Sequence, residues 1–121
     1  MRPIKPNKFP SLSILTTTAG AGSVVSPTFT GRVKEITYDG GLATGADLVV
    51  TRTSDGAILG TFTDIGTARA SWRPVGAIHD AVGAAVSGAG DYWLIVDDTV
   101  TFTISSGGSE DTGLFGLYWE A

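Results

Sequence analysis

Cysteine is absent from the 121 residues. Disulfides and thiolate metal or redox chemistry are therefore excluded, and redox usage leaves the compartment unmarked. Histidine is nearly absent too, with His79 as the single copy. Charged residues make up only 17% of the chain, below a typical value of about 25%. No stretch approaches the ~18 apolar residues of a membrane-spanning helix. Residues 1–10 are basic but broken by prolines, and no continuous apolar stretch follows. The chain accordingly reads as soluble, without a secretory leader. Acidic residues are missing before Glu35.

What is present first is a basic, proline-spaced leader. Arg2, Lys5 and Lys8 alternate with Pro3, Pro6 and Pro10. Each proline fixes φ and removes a donor, so an extended, polyproline-like course is expected over residues 1–11. Ile4 and Phe9 add two apolar side chains that a purely solvated tail would not need. Five of the eight basic residues precede Glu35, leaving three against all 12 acids in the remainder. Such asymmetry bears on partners rather than on fold.

The body, residues 12–121, is rich in glycine (17 copies in the whole chain) and in threonine. That pairing favours short strands and tight turns. Strands are predicted over residues 12–18, 23–30, 32–38, 46–53, 58–63, 91–96, 100–105 and 114–120. The clearest hairpin joins residues 46–53 and 58–63 through Ser54-Asp55-Gly56. Val100, Phe102 and Ile104 alternate with threonine and serine in the cleanest period-two pattern. Asp97-Asp98 reads as a turn. Residues 65–89 are the least regular, with a possible short strand before Pro74 and a loop with at most a helical turn over residues 77–86. About eight short strands point to an all-β antiparallel sandwich or jelly roll. Apolar residues on both faces of the last strand predict burial on both sides, one of them as a subunit interface.

Catalytic equipment is not legible. His79 sits beside Asp80, but neither Ser71 nor Ser87 lies in a nucleophile elbow. Asp97-Asp98 and Glu110-Asp111 read as solubilising turn residues, and no EF-type loop is present. The glycine-rich segments lack the spacing of a phosphate loop. No catalytic residue, metal site or cofactor is expected. An acidic body and three leader charges do not suit nucleic acid. Trp72, Trp93 and Trp119, with Tyr92 and Tyr118, are candidates for a self-association or ligand face, the latter as a sugar-stacking platform.

Three groups of residues carry a family resemblance. The first is Tyr38-Asp39-Gly40-Gly41 with Thr44-Gly45-Ala46-Asp47-Leu48. The second is Arg73-Pro74 with His79-Asp80 and Gly83-Ala84-Ala85. The third is the strand over residues 100–105 with Ser106-Gly107-Gly108, then Thr112-Gly113 and a closing strand. In this order they resemble small virion structural proteins of tailed bacteriophages, over most of residues 31–120. The resemblance implies a β-sandwich on the virion, as in capsid decoration (cement) proteins. Such proteins form trimers and brace capsomers through terminal arms. The expected partners are the major capsid protein and further copies of the chain, with Arg2, Ile4, Lys5, Lys8 and Phe9 as arm contacts on the capsid surface. The alternative is a neck, tail or fibre component with a carbohydrate-binding β-sandwich.

Overall fold

A computed structural model describes residues 7–79 and 85–121. The described residues form eleven strands and no helix. They are β1 (Asn7–Leu15), β2 (Gly22–Val25), β3 (Phe29–Tyr38), β4 (Asp47–Arg52), β5 (Ile58–Phe62), β6 (Ala70–Trp72), β7 (Val75–His79), β8 (Ala85–Tyr92), β9 (Leu94–Asp98), β10 (Val100–Ser105) and β11 (Thr112–Glu120). The larger sheet has five strands. Its order is β1-β11-β3-β6, and β9 pairs with the first half of β3 where β6 pairs with the second. The smaller sheet has four strands in the order β2-β10-β4-β5. Every pairing is antiparallel. The fold is an all-β sandwich, as the strand pattern predicts.

The core follows from alternation. Val100, Phe102 and Ile104 are fully buried, while Thr101, Thr103 and Ser105 face outward. Leu48 and Val50 of β4 join them from the same sheet. Ile14, Val33, Ile36, Phe115 and Leu117 answer from the larger sheet. Phe102 and Phe115 meet edge-on across the two layers, 5.6 Å between ring centroids. Each such side chain contributes about 1.5–3 kcal/mol by leaving water. Gly60 of β5 matters by what it lacks, because a Cβ there would lie 2.6 Å from the Trp93 indole.

The β4–β5 hairpin forms as predicted, closed by Gly56 at φ 70° and by the Asp55 carboxylate, which accepts from Ala57 N. Three features differ from the expectation. First, β1 begins at Asn7, inside the proline-spaced leader. Pro10 is tolerated because β1 is an edge strand and its register shifts between Phe9 and Leu12. Second, residues 75–79 and 85–89 are not loop or helix but lie in the paired strands β7 and β8, and the strand expected over residues 91–96 is divided at Trp93 between β8 and β9. Glycine and alanine carry no periodic signal, so partner pairing rather than local preference decides this segment. Residues 80–84, including Asp80 and Gly83-Ala84, lie outside the described residues. Third, Asp97-Asp98 is not a free turn but ends β9, which pairs with β3, while β10 pairs with β4 and β2. The chain changes sheet at Thr99, following Asp97 at φ 46°.

Candidate functional site

The outer face of the larger sheet gathers the side chains that carry most of the chemistry. Tyr118 of β11 pairs with Glu35 of β3, whereas Trp119 pairs with Val33. Lys34 is thus the extra residue of a bulge, and both Lys34 and Glu35 end up half-buried. Bulges re-aim side chains in this way. Val33 stays in the core, and the Lys34 ammonium is delivered over the Tyr92 ring, 3.9 Å from its centroid. The same ammonium lies 3.8 Å from the Glu120 carboxylate. One strand over, Lys8 of β1 is opposite Tyr118 and places its ammonium 5.5 Å from that ring centroid. Cation–π contacts at such solvent-accessible sites contribute about 0.5–1 kcal/mol each.

Between these groups lies an open depression of about 300 Å³, lined by Lys34, Glu35, Arg73, Tyr92, Tyr118 and Glu120. Its rim continues along β9. Arg32 is exposed and pairs with Leu94, so the two side chains share the face. Leu94 is 52% exposed and Val96, two residues on, 64%. Tyrosine and arginine beside exposed aliphatic residues are the composition of a protein-contact surface.

The three tryptophans lie elsewhere. Trp93 is only 6% exposed and packs in the core near Phe62. Trp72 is half-buried, 4.8 Å from Phe62 and 6.4 Å from Tyr38 between centroids. Trp119 is half-buried in a separate cluster with Phe29 at 4.9 Å and Phe9 at 5.9 Å. They make two packing clusters and no common exposed platform. Phe9 is spent within the chain, since it also meets Phe29 edge-on at 5.7 Å. Arg2, Ile4 and Lys5 fall outside the described residues. His79 ends β7 opposite Ala85.

No protein-family model matches the chain. No curated protein matches it either. Among solved structures, it is similar to a cryo-EM structure of the virus-like particle of extra small virus from the giant freshwater prawn Macrobrachium rosenbergii. Identity is 10%, over 100% of this chain and 83% of that chain, with a TM-score of 0.29. A likeness at that level carries no argument about this chain.

At the opposite end of the sandwich the chemistry changes sign. Ala43 N donates to Gly107 O, Glu110 N to Thr17 O, and Gly45 N to the Asp64 carboxylate. Asp64 N donates in turn to the Asp47 carboxylate. These bonds bring Asp47, Asp64, Glu110 and Asp111 to one end, where Asp39 pairs with Arg69 at 3.5 Å. Arg69 is the only cation of those loops. Among the described residues no group of three or more His, Cys, Asp or Glu is arranged to hold a metal ion.

Proposed function

We propose that this chain is a non-enzymatic structural protein of a tailed-phage virion, a capsid decoration (cement) protein that attaches to the major capsid protein through its N-terminal segment and self-associates as a trimer. The observation that carries this reading is continuity. The basic leader runs into edge strand β1 at Asn7, and the next residue, Lys8, already contributes to the Tyr118 surface. A leader anchored beside a face of half-buried tyrosines and exposed arginines suits attachment to another polypeptide. Arg2, Lys5 and Lys8 add encounter rate against an acidic capsid surface more than strength. Many weak symmetric contacts over a shell then gain by avidity.

The test is occupancy on undecorated capsids. Removing residues 1–6 leaves β1 intact, so it interrogates attachment without dismantling the body. We expect a marked fall in bound copies. Undiminished binding would remove the leader from the mechanism.

A second reading, a neck, tail or fibre component that binds carbohydrate, is favoured by Tyr92 and Tyr118, whose rings line the depression. Oligosaccharides would then perturb the intrinsic fluorescence, and Tyr118→Ala would abolish the response. A Tyr118→Ala protein that responds unchanged would move sugar binding away from this face.

A further inference from the structure

We infer that the outer face of the larger sheet receives the acidic end of a second copy, so that self-association is head-to-tail. This rests on the self-association reading above and specifies the two surfaces that meet. The face carries Lys8, Arg32, Lys34 and Arg73 against Glu35 and Glu120, a surplus of cations. The far end carries Asp39, Asp47, Asp64, Glu110 and Asp111 with Arg69 as its cation. After Arg73 the sequence contains no lysine or arginine at all. The two regions are complementary in sign, and they sit on different parts of the same molecule. A contact between unlike patches is heterologous, and closes into a ring when the rotation allows. A face-to-face contact would set the cation surplus against itself, which costs affinity and suppresses that arrangement. Tyr118 in the depression, with Leu94 and Val96 along its β9 rim, gives the face uncharged side chains to exclude water, as a protein contact requires.

The experiment is a charge swap read by sedimentation velocity at low salt. One variant reverses the face, Arg32→Glu with Arg73→Glu. The other reverses the end, Asp39→Lys with Glu110→Lys. All four positions are exposed in the chain. Each variant alone sets like charge against like, and its association is expected to weaken by roughly tenfold or more. Mixed in equal amounts, the variants present complementary pairs in both directions and association returns. The recovery also shows that neither variant failed to fold. Three results overturn the inference. Oligomers that survive both reversals place the contact elsewhere and leave self-association standing. Loss in the face variant alone assigns a face-to-face contact. A wild-type chain that sediments as a monomer at every concentration removes self-association itself.

Discussion

A single hydroxyl ties the first strand to the last connection. Thr16 is 2% exposed. Its Oγ1 donates to Gly108 O at 2.6 Å and accepts from Asp111 N at 2.9 Å, while Thr16 N donates to Asp111 O at 2.9 Å. Thr16→Val keeps the shape and leaves a carbonyl and an N–H without their partner. The expected cost is about 1–3 kcal/mol in urea unfolding, with Thr16→Ser close to wild type. Equal stability of Thr16→Val and wild type would show that the hydroxyl is dispensable. The β4–β5 turn offers a second residue-scale test. The Arg52 guanidinium, followed by the Ala57 N–H, holds the Asp55 carboxyl down to about 2. Because the folded carboxyl is depressed, its stabilising contribution is complete above the ordinary carboxylate range and fades as pH falls toward that value. Both partners are solvent-exposed, so the consequence for global stability is small. The sharper readout is NMR titration, in which Arg52→Ala moves the Asp55 midpoint upward. A midpoint unmoved by that substitution would assign the depression to the backbone N–H.

At the scale of elements, β1 decides where the body starts. Phe9 packs on Phe29 and Trp119, and Lys8 pairs with Tyr118. Removing residues 1–6 is expected to leave the thermal midpoint nearly unchanged. Removing residues 1–11 deletes the first half of β1 with Phe9, and is expected to cost at least about 3 kcal/mol, the scale of losing a packed phenylalanine. Identical melting of the two truncations would mean that residues 7–11 contribute nothing to the sandwich. The same strand shows what was legible beforehand. Alternation exposed β10 and β4, because one face of each is buried and the other wetter, and Ser54-Asp55-Gly56 marked the turn into the more exposed β5. Proline spacing concealed the start of β1, since an edge position and a bulge tolerate what a central strand does not. Alanine and glycine concealed β7 and β8. Tyr92 and Tyr118 were visible as candidate ligand-face residues, but their partners were not. The bulge that lifts Lys34 out of register is a property of the β3–β11 pairing, two segments about 80 residues apart in the chain.

At the scale of the whole molecule, the distribution of charge is more informative than its sum. A net charge of −4 says only that the chain is mildly acidic. Its arrangement places Lys8, Arg32, Lys34 and Arg73, four of the eight cations, on the outer face of the larger sheet, and Asp39, Asp47, Asp64, Glu110 and Asp111, five of the twelve carboxylates, at one end of the sandwich. Screening and reversal therefore test different things. Raising ionic strength from about 0.1 M to about 1 M shortens the screening length from ~10 Å to ~3 Å. That removes steering between copies but leaves the contacts of Tyr118, Leu94 and Val96, whose burial salt does not oppose. Self-association is expected to weaken only several-fold over this range. Charge reversal acts more severely, since it converts attraction into repulsion at close range. A loss approaching a thousandfold in high salt, measured by sedimentation across a concentration series, would mean that these uncharged side chains contribute little and that the face is held by ion pairing alone.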